Sequence, residues 1–176
     1  MRREHSEAGT AAASFTKLVK SQIRFRLFLL RYLPAALFSG VRVGTVTSEA
    51  CTVSIRYRWF TRNPFGSTYF ASLSMAAEMS TGILVMAGTY GRSPRIAMLV
   101  TAIEGTFLKK ATGITRFTCR EGMLIQQAIE AASRDNEPHV VRVFTSGVNE
   151  NDETVAEFYI TWSVKARKTV GHGRMN

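Results

Sequence analysis

The sequence predicts an α+β protein in which an antiparallel six-stranded sheet wraps around one central helix, with an extra helix on the N-terminal side. Three observations lead there. Residues 69–87 read as a helix that is apolar on every side, holding Glu78 as its only ionisable group besides Tyr69, and such a helix must be enclosed by other structure. Six segments carry strand patterning around it, two before and four after. At 176 residues the chain is long enough for one domain with a sizeable core, and its 45% hydrophobic content suits a globular protein.

Residues 1–13 mix Arg, Glu, Ser, Gly and Ala without periodicity and read as a disordered tail; Glu4 and Glu7 argue against a transit peptide. Ser14 is placed to cap a helix that runs to about Leu33 and is stopped by Pro34. On its wheel Lys17, Lys20, Arg24 and Arg31 form a stripe, and Phe15, Val19, Ile23, Leu27 and Leu30 cover much of the rest. The expectation is a helix packed on its own domain with a solvated charged edge, in preference to one lying on an anionic membrane. Arg26 falls in the apolar arc, so it pairs with a buried acid or faces a neighbouring subunit.

Residues 41–48 and 51–59 read as strands joined at Glu49-Ala50. The second alternates cleanly, with Cys51, Val53, Ile55, Tyr57 and Trp59 on one face and Thr52, Ser54, Arg56 and Arg58 on the other. Its aromatics and arginines fall on opposite faces, which counts against a nucleic-acid platform. Asn63-Pro64-Phe65-Gly66 has turn chemistry, and Ser67 or Thr68 is expected to cap a helix starting at about 67–69. At 3.6 residues per turn Ser67, Ala71, Ser74, Glu78 and Gly82 share one face, small except for the acid. The run is long enough to span a bilayer, but Glu78, its several hydroxyl residues and the lack of a second span oppose that reading.

A loop over 89–94 leads to a strand over 95–108, a turn at 109–113 and a strand over 114–120. Residues 122–134 pattern as a helix with Leu124, Ala128, Ile129 and Ala132 on its apolar side. Strands over 140–146 and 154–167 flank a turn at 147–153, and 169–176 reads as a tail, leaving residues 14–168 as the single domain.

The formal charge of +10 and pI near 10.2 point to an anionic partner: nucleic acid, a membrane surface, or a phosphorylated small molecule such as coenzyme A. Cys51 and Cys119 read as two reduced core thiols, no secretory signal is visible, and a cytoplasmic setting is the expectation. His5 and His172 lie in the tails and His139 follows a proline, so neither a metal-ligand set nor a catalytic triad emerges. Walker and dinucleotide loops are lacking too.

Asn63, Pro64 and Gly66, then the helix start Tyr69-Phe70-Ala71, then Glu78 nine residues after that start begins, together resemble the hotdog-fold acyl-CoA thioesterases. In their phenylacetate-pathway-like (PaaI-like) branch the helix starts with His-Gly-Gly, which Tyr69-Phe70-Ala71 replaces here; an aromatic or small start is similar to families resembling the YiiD C-terminal domain. Phe107-Leu108-Lys109-Lys110-Ala111-x-Gly113 resembles a second superfamily motif, Phe-Leu-Arg-Pro-Ala followed by glycine. The resemblance covers about residues 25–168. It implies a hotdog fold, subunits paired as a homodimer or dimer of dimers with sites between chains, and hydrolysis of an acyl thioester without a cofactor, coenzyme A being part of the substrate. Glu78 would be general base or nucleophile, Asn63 would orient water or the carbonyl, and the amides near Phe70 or Ala71 would hold the oxyanion. Tyr69, Ser74, Arg92, Arg95, Lys109 and Lys110 would contact substrate, the four cations its phosphates. A non-catalytic acyl-binding or structural hotdog module and a basic nucleic-acid-binding protein stay open as alternatives; of partners, nucleic acid and membrane are not expected.

Overall fold

The computed structural model describes residues 14–19 and 21–167; Lys20 and both predicted tails lie outside the described residues. Six strands, β1 (Arg42–Val46), β2 (Cys51–Arg56), β3 (Ile96–Phe107), β4 (Ile114–Cys119), β5 (His139–Val148) and β6 (Thr154–Ala166), form one antiparallel sheet in the order β1-β2-β4-β5-β6-β3. The long helix α4 (Phe70–Thr89) packs across β2, β4, β5 and β6 and reaches β3 at its margin. Helix α5 (Gly122–Asp135) packs beside α4 and against β5 and β6. The predicted sheet wrapped around a central helix is what the chain forms.

Burial of α4 sets the core. Leu73, Ala76, Ala77, Met79, Ile83, Leu84 and Val85 are all buried, meeting Val53, Ile55, Phe117, Val143, Phe158 and Ile160 from the sheet in one cluster. Each Leu, Ile, Val, Met or Phe among them contributes about 1.5–3 kcal/mol when fully removed from water. The fully buried hydroxyls of Ser80 and Thr81 in α4 are satisfied in place. Ser80 Oγ donates to the Ala77 carbonyl and meets Thr145 Oγ1 at 2.9 Å, while Thr81 Oγ1 donates to the Glu78 carbonyl and accepts from Trp162 Nε1 at 2.9 Å. These bonds tie the helix to β5 and β6 at one register, a specificity that packing alone does not provide.

Several local expectations need correction. The helix expected over 14–33 is broken: residues 14–19 (α1) are helical, Ser21 is extended, and helix α2 (Gln22–Tyr32) restarts with Leu33 and α3 (Pro34–Ser39) behind it. The break rephases the apolar stripe, so that burial passes from Phe15 and Val19 to Phe25 and Leu29, and Ile23, Leu27 and Leu30 face outward. Of the two settings expected for Arg26 the buried acid is not met, for the residue is exposed and has no ion pair among the described residues; exposure is compatible with the other, a neighbouring subunit. Strand β2 ends at Arg56; Trp59 sits in a 3-10 turn (η1, Trp59–Thr61), 73% exposed, because the Thr61 hydroxyl donates to the Arg56 carbonyl and folds the chain back. On α5, Leu124 is exposed and Ile125 takes the buried position, since Gly122 is drawn in against the β1–β2 link and sets the helix's rotation. Cys51 and Cys119 face each other across β2 and β4, both free and buried, and burial pushes their thiols up to about 12 and about 11.

Gly122 donates its amide to the Glu49 carbonyl at 2.9 Å, and an added Cβ would stand 2.2 Å from the Ser48 carbonyl oxygen. Backbone cannot swing aside as a side chain does, so Gly122→Ala is expected to cost about 2–3 kcal/mol. Urea unfolding of the two proteins measures this; an unchanged midpoint would mean that the α5 start is free to shift.

Candidate functional site at the central helix

The loop before α4 is pinned at several points. Asn63 Oδ1 accepts from the Phe65 amide (3.0 Å), the Ser67 amide (3.1 Å) and Ser67 Oγ (3.3 Å), and its Nδ2 donates to Ser67 Oγ. Asn63 is thereby an Asx-type organiser of its own turn, with Gly66 at φ +72° supplying the left-handed residue the turn requires. The Thr68 amide and hydroxyl both donate to the Ala111 carbonyl, at 2.8 and 3.0 Å, and the Tyr69 amide donates to the Thr61 carbonyl at 2.7 Å. The expected capping by Ser67 or Thr68 therefore does not occur. Their hydroxyls are taken, the helix starts at Phe70, and Ser67 stands outside the helical face assigned to it.

The consequence is electrostatic. Among the described residues, the Phe70 and Ala71 amides have no acceptor, and they stand at the positive end of a twenty-residue helix. Beside them is a cleft of about 500 Å³ lined by Asn63, Phe65, Tyr69, Phe70, Leu73 and residues 107–111. Its wall continues into the core through edge-on rings, Phe70 to Phe107 (6.3 Å), Phe107 to Phe158 (5.5 Å) and Phe158 to Phe117 (5.7 Å). The pattern Phe107-Leu108 had marked a strand end; its part in the cleft follows from β3 running antiparallel to β6, which no local pattern could supply.

Glu78 lies two turns further along α4 and does not line this cleft. At 1.5 Å per residue it stands about 10–12 Å along the axis from the Ala71 and Phe70 amides. Its side chain has no ion-pair or hydrogen-bond partner among the described residues, yet neither oxygen is sealed from solvent. Burial alone raises its pKa from 4.5 to about 7. Gly82, one turn on, leaves this space open: a Cβ there would meet Glu78 Oε1 at 3.0 Å and the Trp162 ring at 3.3 Å. Trp162 and Thr81 are the neighbours that sequence reasoning missed; alternation along the last strand sets Trp162 in a row with Phe158, Ile160 and Val164 but does not place that row against Gly82. Ser74, on the same face, is half-buried and returns its hydroxyl to the Phe70 carbonyl.

The four candidate cations do not come together. Lys109 and Lys110 line the cleft at the start of α4, Lys109 paired with Glu153 and Lys110 donating to the Phe65 carbonyl at 3.3 Å. Arg92 and Arg95 sit at the other end of α4, about 30 Å away by helix length, around a second cleft of about 700 Å³ shared with Tyr90, Met98 and Arg167. Arg92 Nε donates to the Gly88 carbonyl at 2.6 Å, which closes the negative end of the helix.

A six-stranded antiparallel sheet wrapped on one long helix is the hotdog fold, and solved structures place it there. A Pseudomonas aeruginosa protein of unknown function, described as a probable thioesterase, superposes with a TM-score of 0.69 at 20% identity, covering 82% of this chain and 96% of that one. A Haemophilus influenzae thioesterase gives 0.57 at 15%, covering 83% and 92%, and the Escherichia coli PaaI protein of the phenylacetic acid degradation operon gives 0.57 at 14%, covering 80% and 89%. The model of the family described as "domain of unknown function (DUF4442)" matches residues 22–164, and the chain belongs to that family. No curated protein sequence matches it.

The raised pKa of Glu78 links to stability with a definite sign. Between pH 4.5 and about 7 the folded chain holds a proton that the unfolded chain has released, so stability falls as pH rises through that window and stays lower above it. Glu78→Gln removes the titration. Its melting temperature should match wild type near pH 4.5 and exceed it by pH 8, by the equivalent of about 1–3 kcal/mol. A difference that stays flat across the series would show that the carboxylate is not desolvated.

Proposed function

We propose that the protein hydrolyses an acyl thioester of coenzyme A, with Glu78 as the base. The observation that carries this reading is a single unpartnered carboxyl on the apolar helix, poised at about 7 beside a position kept empty by Gly82. A base with that pKa is half-ionised at neutral pH and strong enough to take a proton from water. Water attacks the thioester carbon as Glu78 accepts its proton, and the carbonyl oxygen gathers negative charge against the Phe70 and Ala71 amides. Collapse of that intermediate breaks the C–S bond, and the departing thiolate takes up the proton that Glu78 accepted, which restores the carboxylate. Direct attack by Glu78 is the other route, less suited to a carboxyl that spends half its time protonated. The thioesterase names of structurally similar proteins support the reaction class. Tyr69, Lys109 and Lys110 at the cleft are the substrate contacts we retain, the lysines for the nucleotide phosphates; Asn63 we assign to holding the loop.

A separation of about 10–12 Å along one helix is too great for the amides and the acid to act on one carbonyl. We therefore propose that two chains pair along β3, so that the helix start of one faces Glu78 of the other. Strand β3 is twelve residues long, lies at the edge of the sheet, and exposes Leu99, Ile103 and Phe107, an edge that proteins rarely leave uncovered. The free buried thiols fit a reducing compartment, and we place the protein in the cytoplasm. A second reading, an acyl-binding module without catalysis, is favoured by the half-exposed Phe70 ring at the helix start, where the resembling thioesterases carry glycine.

Steady-state hydrolysis of an acyl-CoA series by wild type should rise with pH to a plateau above about 7, and Glu78→Gln should lose about 10²-fold or more in kcat. Turnover that survives the substitution would remove Glu78 from the mechanism, and no turnover in either protein would favour the binding module. Light scattering at micromolar concentration should give a dimer or a dimer of dimers; a monomer would sink the paired site. Lys110→Ala should raise KM for acyl-CoA more than for an acyl-pantetheine lacking the nucleotide, and equal effects would make that lysine a bystander.

A further inference from the structure

The N-terminal surface is built in the inverse of the usual sense. Phe25 and Leu29 hold α2 to the domain, and the centre of its outward face is apolar: Ile23, Leu27 and Leu30 are 75%, 61% and 52% exposed. At 100° per residue these three fall within one narrow arc, with Arg26 on one border and Arg24 and Arg31 on the other, all exposed. Helix α3 and η1 pack next in line and add an aromatic cluster. Phe38 and Phe60 lie 6.3 Å apart, Phe60 and Trp59 6.4 Å, all three exposed. Arginines border this cluster too, for Arg58 donates to the Phe38 carbonyl and Arg62 lies 6.0 Å over the Trp59 ring. Across residues 14–62 nine lysines and arginines stand against one acid, Glu49, so most of the net charge of +10 arises in this segment.

We propose that α2, α3 and η1 form a docking surface for an anionic phospholipid bilayer. Aliphatic side chains flanked by arginines suit the headgroup boundary: the apolar arc enters the acyl region while the guanidinium groups stay at the phosphates. Trp59 suits that depth as well, being apolar in body with a polar tip. A second copy of the chain is a poor occupant, because two such faces would press their arginines together. A nucleic acid would have the arginines and Trp59 to contact but gains nothing from Ile23, Leu27 and Leu30, which have no base-stacking surface. Docking of this kind stands independent of the chemistry at Glu78.

The experiment is co-sedimentation of the full chain with vesicles of phosphatidylcholine alone and of phosphatidylcholine with 30% phosphatidylserine. Two double variants, Ile23→Ser/Leu27→Ser and Arg24→Gln/Arg31→Gln, are carried alongside, with melts to show that these exposed changes leave the fold intact. Wild type should bind the anionic vesicles, release as salt is raised, and leave neutral vesicles unbound. Each variant should lose at least about tenfold in partition coefficient. Failure to bind anionic vesicles, or equal binding by the serine variant, overturns the proposal. A fall in oligomeric mass on Ile23→Ser/Leu27→Ser without vesicle binding would overturn it in favour of a second copy, and displacement from vesicles by an equimolar random single-stranded oligonucleotide in favour of nucleic acid.

Discussion

A twenty-residue helix with one ionisable side chain is insoluble by itself, and the way α4 is enclosed determines most of this structure. Strands β2, β4, β5 and β6 each contribute side chains to it, α5 covers a further flank, and the helix turns its remaining face toward the margin where β3 lies. The sheet must curve to do this. Bulges between Val43 and Val46, Val100 and Ala102, and Gly147 and Val148 accompany that curvature by increasing local twist. Glu78 has its unusual character for the same reason. The enclosure that makes α4 stable strips water from the one acid it carries, and no cation among the described residues compensates.

That arrangement was legible in the sequence to the extent that it depended on composition. The apolar run, its lone glutamate and the glycine one turn later are adjacent in sequence, and the alternation in residues 51–56 separates the same two faces that the fold buries and exposes. Where the sequence misled, a competing bond had captured a group that the pattern needed. Thr68 had capping chemistry, but the Ala111 carbonyl, 43 residues away, holds its hydroxyl. The alternation of β2 ran on to Trp59, but Thr61 turned the backbone at Arg56. Neither event has a local signature. The four cations read as one set because charge carries no information about which end of a helix a residue reaches.

Phasing was the most consequential error of pattern reading. A continuous helix over 14–33 would have turned Ile23, Leu27 and Leu30 inward with Phe15 and Val19. With the interruption before Gln22, a stripe that obeys 3.6-residue spacing on either side is no longer one stripe, and the inward positions become Phe25 and Leu29. No proline or glycine marks the break. Its cause lies in the second helix itself, where two rings and a leucine, Phe25, Phe28 and Leu29, offer a larger apolar surface than the three aliphatic residues opposite.

The two surfaces of interest therefore differ in how they come about. At α4 the electrostatics are set by packing: an acid is half-buried because its helix is enclosed, and among the described residues the amides at Phe70 and Ala71 are unpaired because the preceding loop spends its hydroxyls on Asn63 and Ala111. In the proposed reaction both groups come from α4, and the helix axis keeps them about 10–12 Å apart, so acting on one carbonyl would call for a second helix running the opposite way. An antiparallel partner strand along β3, as proposed, would bring such a helix with it, since α4 is fixed to the same sheet. In the proposed pairing the long exposed edge and the separation of the two groups have one explanation, and the unpartnered carboxyl of Glu78 is what an isolated chain would leave without a role.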